Sequence, residues 1–484
     1  MASRVVSPQL QEQFADLSGD RNPMHMDPIA ARRTQAGLPV VHGVHTLLWA
    51  LESLVTSKYI VSPLTRIKVK FTRWIHLGDE SSLILPMCEQ ADPKTLQVHV
   101  LGMPVLSAEL SYGEAESSEP SSPLVASPLM PLSHPLDLSF EDLNERSGNA
   151  FTATEESIRR LFPAISTALG STAVAEIAAC SYVVGMEAPG LHSMLSKLDL
   201  KIARSSRSNA VRTALHYVVA SHDFRFRKAR ITVTGQNITG EINVFVRVPP
   251  VAQVSMEEVA AYVNHSEFVG MRALIVGGSR GLGEVTAKLI AAGGGIATIT
   301  YSLGKADAEE IVRQIRDWGG DTDTLPYDIC KAPQSQLDGL PRPPTHLFYF
   351  ATNTIYKQKQ SVFAPPVFQE FIQFYVQGFY DLCTALSEAD QKTSANKRLV
   401  IFYPSTVFIE QRPPGMTEYA MAKAAGEQMC ADMNRALPRL HVVTRRLQKL
   451  LTDQTAGVIP ERDLSAVLTL LPVVREMQAL SNQC

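Results

Sequence analysis

The first part of the chain shows two hydrophobic patterns. Val40–Val55 (VVHGVHTLLWALESLV) is apolar over most of its surface and contains no proline, which predicts a buried helix. Ile67–Glu80 alternates apolar and polar residues and then turns at Gly78-Asp79, as a half-buried strand does. Gln9–Leu17 predicts a short helix ahead of both.

Later patterns predict two more domains. Gly113–Pro135 is rich in Pro, Ser and Glu, the composition of an interdomain linker. Ser171–Met186 predicts a helix, and the strand-like segments after it include a hairpin turn at Gly235–Gly240. Val254–Phe268 predicts a helical connector, and Arg272–Val276 a short strand that leads into a glycine-rich turn and a helix. The predicted boundaries are 1–115, a linker at 116–136, 137–252, a connector at 253–269, and 270–484.

Composition narrows the class of protein. The chain has 484 residues, 45% of them hydrophobic and 19% charged, which is typical of a globular protein of about three domains. Its formal net charge of −3 argues against nucleic acid as a partner. The N-terminus has no apolar signal segment, and no apolar run reaches the ~18 residues of a membrane span. The six cysteines form no CxxC pair, so we expect no disulfides or metal and a cytoplasmic location.

The stretch LSGDRNPMHMDPIA, residues 17–30, carries the first candidate chemistry. Asp20 and His25 lie five residues apart around an Asn22-Pro23 turn, and such a pair could position a water and move its proton. His42-Gly43 would place backbone N–H groups at the start of the predicted helix, where a developing negative charge would be stabilised.

The order SGDxNPxH, then an acidic residue and an alanine, resembles the motif of the MaoC-like, (R)-specific enoyl-thioester hydratases. The resemblance implies a hot-dog fold, in which an antiparallel sheet wraps a long helix. It also implies that Asp20 and His25 flank the catalytic water, that Asn22 orients the loop, and that His42 and Gly43 bind the substrate, with Gly43 N–H in the oxyanion site. In the alternative interpretation, Asp20 is a helix cap and His25 a satisfied loop histidine.

A weak internal repeat places Leu143–Pro163 over Phe14–Thr34. Asn149 then takes the place of Asp20, and no histidine follows at the position of His25. An amide cannot act as the base that a carboxylate can. We therefore expect a second, non-catalytic hot dog, as in double hot-dog hydratases that keep one active half; an unrelated α+β module is the alternative.

The C-terminal region resembles the short-chain dehydrogenase/reductases through IVGGSRGLG and YAMAK. The resemblance implies NADP(H), because no acidic residue follows the next strand to bind the ribose 2′-hydroxyl of NAD. Tyr419 and Lys423 would be catalytic, with Lys423 lowering the pKa of Tyr419, and Ser405 would bind the substrate carbonyl, with Thr406 as the alternative. The cofactor-binding residues implied are Gly277, Ser279, Arg280, Gly281, Leu282, Gly283, Ser302, Lys305, Asp328 and Ile329, together with Tyr419 and Lys423.

Two positions depart from that family. The usual NNAG is replaced by YFAT at Tyr349–Thr352, and the asparagine often found in the following helix is represented by Gln377. Both changes concern the support of the cofactor site and the proton relay.

The sequence thus predicts a multidomain α+β and α/β protein, with an N-terminal double hot-dog region followed by a C-terminal Rossmann-type doubly wound parallel sheet. The implied function is a bifunctional hydratase/dehydratase and 3-oxoacyl reductase. Its substrates would be thioesters of acyl-carrier protein or coenzyme A in fatty-acid-like or polyketide-like biosynthesis. A hydratase with a cofactor-binding or scaffolding module, and a β-oxidation-like direction, are the alternatives. Family analogy also implies a homodimer or higher homo-oligomer.

Overall fold

A computed structural model describes residues 2–85, 91–114, 129–203, 214–250, 252–353, 355, 362–391, 398–450, 452 and 466–482. The described chain forms two compact units, one ending at Pro249 and the other beginning at Pro250. Most of the predicted linker lies outside the described residues. Within these ranges no single helix combines the length and apolar character needed to cross a membrane. Two helical segments that meet at a bend of 113°, Pro163–Leu169 and Ser171–Glu187, have this length and apolar character only when they are taken together.

The first unit is built on one ten-stranded antiparallel sheet, in the order β1-β3-β4-β5-β2-β7-β10-β9-β8-β6. Its two halves repeat one order, since β1-β3-β4-β5-β2 corresponds to β6-β8-β9-β10-β7. Antiparallel pairing of β2 with β7 joins the halves. The strands are β1 (Ser3–Val5), β2 (Leu64–Phe71), β3 (Glu80–Ile84), β4 (Thr95–Val100), β5 (Met103–Tyr112), β6 (Ser147–Ala150), β7 (Ser193–Ile202), β8 (Leu215–Asp223), β9 (Lys228–Thr234) and β10 (Ile238–Val246).

One hydrophobic core connects the sheet with its two central helices, α4 and α7. Both helices are apolar on most faces, as the sequence predicted, and are therefore buried along most of their length. The helices of this unit are α1 (Pro8–Ser18), α2 (Pro23–Met26), α3 (Pro28–Arg32), α4 (Gly43–Thr56), α5 (Glu155–Leu161), α6 (Pro163–Leu169) and α7 (Ser171–Tyr182), and a π-helical segment, Val183–Glu187, continues α7.

The internal repeat is present as topology, but the predicted alignment is wrong. Asn149 lies on β6, the counterpart of β1, so it does not correspond to Asp20. In the second half only Phe162 separates α5 from α6, where Gly19–Asn22 separates α1 from α2 in the first. The loop that carries Asp20 has therefore no counterpart of similar length.

The second unit contains a six-stranded parallel sheet in the order β13-β12-β11-β14-β15-β16. In chain order this is 3-2-1-4-5-6, the strand order of dinucleotide-binding Rossmann folds. The strands are β11 (Arg272–Val276), β12 (Ile296–Tyr301), β13 (Asp321–Pro326), β14 (His346–Tyr349), β15 (Leu399–Thr406) and β16 (Leu440–Leu447).

Two separate cores cover the two faces of this sheet. Helices α9, α10 and α16 contribute to one core, and α12, α13 and α15 to the other. The predicted connector forms α8, which a Ser255–Glu258 capping box starts, and it belongs to this unit. The helices are α8 (Met256–Ala260), α9 (Gly281–Ala292), α10 (Lys305–Asp317), α11 (Gln334–Leu337), α12 (Pro365–Ile372), α13 (Gly378–Gln391), α14 (Phe408–Gln411), α15 (Thr417–Ala436) and α16 (Ala466–Asn482), with a π-helical segment, Gln373–Gln377, between α12 and α13.

Candidate functional site

Asp20 is a buried carboxylate on the loop between α1 and α2. Its Oδ2 accepts a hydrogen bond from Ser181 Oγ at 2.7 Å, and its Oδ1 accepts one from Asn22 N at 3.2 Å. Burial raises the pKa of this carboxyl, while the charge of His25 and the two hydrogen bonds lower it. The pKa of this carboxyl is therefore raised from its ordinary value, which favours proton exchange over permanent ionisation.

Asn22 fixes the loop that carries Asp20. Its Oδ1 accepts from Met24 N at 3.0 Å and caps α2. Its Nδ2 donates to the carbonyls of Gly185 at 2.8 Å and Gly190 at 3.1 Å. These carbonyls belong to the second half of the unit, so Asn22 positions the loop against that half, in line with the role predicted for it.

His25 is half-buried and lies on α2 beside the carboxylate. Its Nδ1 is 2.7 Å from the Val40 carbonyl, which makes Nδ1 the protonated nitrogen and leaves Nε2 as an acceptor. Its ring stacks on that of His42, with centroids 3.9 Å apart. The tautomer therefore suits His25 to accept a proton from a water.

His42 and Gly43 form the start of α4. His42 Nε2 lies 3.0 Å from the Asp20 carbonyl and 3.8 Å from Asp20 Oδ2. Burial, and then the neighbouring His25, hold the pKa of His42 well below its usual range, so its ring is neutral. A Cβ on Gly43 would lie 2.9 Å from the Phe71 ring, so only glycine fits here with its N–H at the helix start.

One ligand atom each from Asp20, His25 and His42 lies within 4.8 Å of the others, a spacing that could hold a cation as well as a water. One nitrogen of each imidazole already has a backbone partner: His25 Nδ1 bonds to the Val40 carbonyl and His42 Nε2 to the Asp20 carbonyl. One carboxylate and two imidazoles at this spacing form a set suited to proton transfer. The absence of a metal stays a prediction.

Sequence analysis did not identify Ser181 or Gly185. Both lie more than 160 positions from Asp20, at the end of α7 and in the π-helical segment. A Cβ on Gly185 would lie 2.2 Å from Asp20 Oδ1, so the close approach of the two halves requires glycine. In the sequence, Ser181 could be recognised only as a serine in an apolar helix, and nothing in the pattern indicated that it contacts Asp20.

The glycine-rich turn of the second unit connects β11 to α9. Gly277 has φ +79°, and a Cβ there would lie 2.8 Å from the Phe350 carbonyl carbon. A Cβ on Gly283 would lie 2.4 Å from the Gly277 carbonyl oxygen. The remaining residues of the predicted set in this segment, Ser279, Arg280, Gly281 and Leu282, lie in the turn and the first residues of α9. A diphosphate could therefore approach the backbone N–H groups at the start of α9.

The other predicted cofactor residues follow the neighbouring strands at the same sheet edge. Ser302 is exposed just after β12, and Lys305 begins α10 with its Nζ 3.6 Å from Glu309 Oε1. Asp328 follows β13, accepts from Cys330 N at 3.0 Å and lies 3.2 Å from Lys331. Ile329 is buried beside Gly378. Because the carboxyl ends of parallel strands meet at one edge, the fold brings these residues to one side of the sheet.

Lys423 is buried among aromatic rings. Its Nζ donates to the Pro404 carbonyl at 2.7 Å and lies 3.9 Å from the ring centroid of Tyr375 and 4.8 Å from that of Tyr403. Burial lowers the pKa of Lys423 to about 7.

Tyr419 does not show the lowered pKa that the resemblance implied. Burial raises the pKa of Tyr419 to about 12, with only a hydrogen bond to Thr406 in the opposite direction. Burial lowers the pKa of Lys423 and its Nζ donates to the Pro404 carbonyl, so Lys423 is not among the groups that shift the pKa of Tyr419.

Ser405 and Thr406 have different partners. Ser405 Oγ donates to Glu427 Oε1 at 2.5 Å, and Glu427 also forms an ion pair with Arg446 at 2.6 Å. Thr406 Oγ1 accepts from Phe408 N at 3.2 Å, and its interaction with Tyr419 lowers the pKa of that tyrosine. Both hydroxyls considered from the sequence therefore stay candidates for binding the substrate carbonyl.

The YFAT segment and Gln377, which depart from the reductase family, have different surroundings in the structure. Thr352 Oγ1, from the YFAT segment, is 2.5 Å from the Tyr375 hydroxyl, so this segment supports the aromatic surroundings of Lys423. Gln377 is exposed and donates to Asp381, so its predicted place in the proton relay is wrong. Tyr375, in the same π-helical segment, contacts Lys423 instead.

Comparisons with known proteins agree with the N-terminal motif. The family model described as the MaoC like domain matches residues 1–101. No curated protein matches the chain.

Several solved structures resemble the second unit distantly. A protein named as a short chain dehydrogenase from Escherichia coli CFT073, complexed with NADPH, is 19% identical, with a TM-score of 0.39 over 44% of this chain and 93% of its own. A 3-oxoacyl (acyl-carrier-protein) reductase from Agrobacterium tumefaciens C58, with NADP bound, is 18% identical, with a TM-score of 0.34 over 39% and 74%. The assignment of this unit rests on its own strand order. Residues 1–101 thus match a MaoC like domain, and a C-terminal unit with the strand order of Rossmann folds follows in the same chain.

Proposed function

We propose that the chain is a bifunctional acyl-thioester enzyme. One site interconverts 3-hydroxyacyl and trans-2-enoyl thioesters, and the other reduces 3-oxoacyl to 3-hydroxyacyl thioesters with NADPH. The observation that carries the proposal is the buried cluster of Asp20, His25 and His42 beneath the start of α4. The shared 3-hydroxyacyl intermediate is the reason to expect both chemistries on one chain.

The first unit is proposed to be a double hot dog with one active half. The repeated strand order of its two five-stranded halves and the single core shared by α4 and α7 support this. Ser181 and Gly185 show what the second half would contribute, since both contact Asp20. The proposal of an unrelated module is less favoured because an unrelated module has no reason to repeat the order.

Hydration would use the groups that surround Asp20. A water held between Asp20 and His25 adds its oxygen to C3 of the enoyl thioester as one of the two groups accepts its proton. The other group delivers a proton to C2, and the Gly43 N–H stabilises the negative charge that develops on the thioester oxygen. Dehydration is the reverse sequence.

Reduction would use Tyr419, Lys423 and the hydroxyl of Ser405 or Thr406. Bound NADPH would supply the hydride and Lys423 would hold its nicotinamide ribose. Tyr419 would donate its proton to the carbonyl oxygen, and the Ser405 or Thr406 hydroxyl would hold that oxygen. The turn at Gly277–Gly283 fits a dinucleotide diphosphate, and Arg280, Ser302 and Lys305 are the candidates for the 2′-phosphate, since no acidic residue follows β12.

NADPH preference would favour the biosynthetic direction, in fatty-acid-like or polyketide-like assembly, with reduction followed by dehydration. NAD preference would favour the β-oxidation-like direction. A second candidate function keeps only the hydratase, with the second unit as a cofactor-binding module. The raised pKa of Tyr419 and the enclosed Lys423 are the observations that favour it.

The test uses two assays on the full chain. NADPH oxidation with acetoacetyl-CoA reports reduction, and loss of the conjugated double bond of crotonyl-CoA reports hydration. We expect Asp20→Asn to remove hydration alone and Tyr419→Phe to remove reduction alone. Hydration without reduction would select the second candidate. The absence of both signals would contradict the proposal for these thioesters.

A further inference from the structure

Gln11 is a buried amide on α1 that the proposed hydration leaves unused. Its side chain is 1% exposed, and Phe14, one turn further along the helix, belongs to the hydrophobic core. A buried amide costs free energy unless its polar atoms find partners. Gln11 Oε1 has no hydrogen-bond partner among the described residues, so the contribution of this side chain lies in the bonds that its nitrogen donates.

Those bonds go to two backbone carbonyls beside the His25 ring. Gln11 Nε2 donates to the Val40 carbonyl at 2.8 Å and to the carbonyl of His25 itself at 3.2 Å. The Val40 carbonyl is also the partner of His25 Nδ1, at 2.7 Å. Because both partners of Gln11 are oxygens, only the amide nitrogen can face them, and both of its hydrogens are used. Gln11 thus connects the backbone of His25 with the carbonyl to which the His25 ring bonds.

The helix that carries Gln11 also leads directly to Asp20. α1 ends at Ser18, where the Gly19 N–H bonds to the Ala15 carbonyl at 2.8 Å. Ser18 Oγ then accepts from Asp20 N at 3.2 Å. A helix is rigid over the roughly two turns that separate Gln11 from Ser18. The bonds from Gln11 therefore fix His25 to the element that sets the place of Asp20.

We propose that Gln11 is a positioning residue for hydration, which holds His25 in the place and the tautomer that proton transfer beside Asp20 requires. The inference rests on the proposed hydratase function. Gln11 does not contact the substrate in this scheme, and its effect passes through the Val40 carbonyl and the backbone of His25.

The direct test replaces Gln11 by methionine in the full chain, because methionine has a similar length and no donor. NMR of the protein labelled with ¹⁵N-histidine detects the proton on His25 Nδ1, and the loss of the signal in His25→Gln identifies it. We expect this proton to be visible in the unchanged protein. In Gln11→Met we expect exchange with water to remove its signal, because His25 is no longer held. Gln13→Met, the same substitution at an exposed position of α1, should retain it.

Kinetics with crotonyl-CoA show whether catalysis uses this positioning. Gln11→Met is expected to lower kcat for hydration about tenfold at unchanged KM, because a displaced His25 affects proton transfer and not substrate binding. Gln13→Met should change neither constant. Gln11→Glu has the shape of glutamine, and burial favours its protonated form, which has one donor in place of two. Its kcat should lie between those of Gln11→Met and the unchanged protein, and it replaces Gln11→Met in both measurements if circular dichroism shows that the methionine variant does not fold.

Both changes are required for the inference to stand. Loss of the Nδ1 proton signal at unchanged kcat, or a lowered kcat with the signal retained, would overturn it. A variant that only unfolds at lower urea concentration would show that Gln11 has a structural role alone. If the unchanged protein does not hydrate crotonyl-CoA, the proposed function fails for this thioester, while the NMR measurement still shows whether Gln11 holds His25.

Discussion

Ser181 shows how one residue from the second half can tune the chemistry of the first. Its hydroxyl donates to Asp20 Oδ2 at 2.7 Å and stabilises the ionised carboxylate. Removing the bond raises the pKa of Asp20 further, because burial is then less opposed. If Asp20 acts in its ionised form, activity then requires a higher pH.

We therefore predict that Ser181→Ala lowers kcat/KM for crotonyl-CoA about tenfold and moves the acidic limb of its pH profile up by about one pH unit, the value of one charge-assisted hydrogen bond. Ser166→Ala is the matched control, since that buried hydroxyl donates to the Phe162 carbonyl and not to Asp20. An unshifted acidic limb with reduced kcat would show that Ser181 has only a structural role.

Thr406 and Ser405 are adjacent on β15 but differ in partner, which gives a second prediction at this scale. Thr406→Ala removes the hydroxyl whose interaction lowers the pKa of Tyr419, and we expect it to lower kcat for NADPH-dependent reduction about a hundredfold. Ser405→Ala should lower kcat less than Thr406→Ala, since its hydroxyl donates to Glu427. The reverse ranking would identify Ser405 as the carbonyl-binding residue.

At the scale of elements, the π-helical segment Val183–Glu187 allows the second half to reach the catalytic loop. Gly185 is its closest point, and an alanine methyl there would lie 2.2 Å from Asp20 Oδ1. We predict that Gly185→Ala removes hydration as fully as Asp20→Asn and lowers the free energy of unfolding by about 1–3 kcal/mol, because either the loop or the segment must move.

Hydration assays and urea unfolding of both variants check this prediction. Gly339→Ala is the control, because a Cβ there would lie 3.3 Å from the flexible end of Leu325 and 3.9 Å from the Gln336 carbonyl oxygen, and its φ is not positive. If Gly185→Ala hydrates the substrate at the rate of the unchanged protein, the π-helical segment must accommodate the methyl group by moving without displacing Asp20.

The elements themselves were largely predictable from local patterns. The apolar surface of α4 and α7, the alternation in β2, and the glycines after β11 are encoded within a few turns of chain. What the sequence did not show depends on tertiary contact. Ser181 meets Asp20 across 161 positions. Gln377 faces solvent, while Tyr375, two positions earlier and therefore on the opposite side of the helix, contacts Lys423. The repeat was recognisable, but its register was fixed by strand pairing and not by the similarity of residues.

At the scale of the whole molecule, the extent of each hydrophobic core determines which fragments of the chain can fold independently. One core includes residues from Val6 to Val246, and the cores of the parallel sheet include residues from Met256 to Met477. In the first core the halves are not separable, because β2 pairs with β7 and Asp20 bonds to Ser181. The residues matched by the family model thus make up only part of the folding unit.

We predict that a fragment of residues 1–249 folds cooperatively and hydrates crotonyl-CoA at the rate of the full chain, while residues 1–114 do not. The shorter fragment exposes the edge of β2 and leaves Asp20 without its Ser181 partner, so it should unfold or self-associate. Circular dichroism, light scattering and the crotonyl-CoA assay distinguish these outcomes. A monomeric 1–114 fragment with full activity would show that the second half is dispensable. A self-associated and active one would show that a copy of the first half can replace the second, which is the arrangement that the internal repeat makes unnecessary.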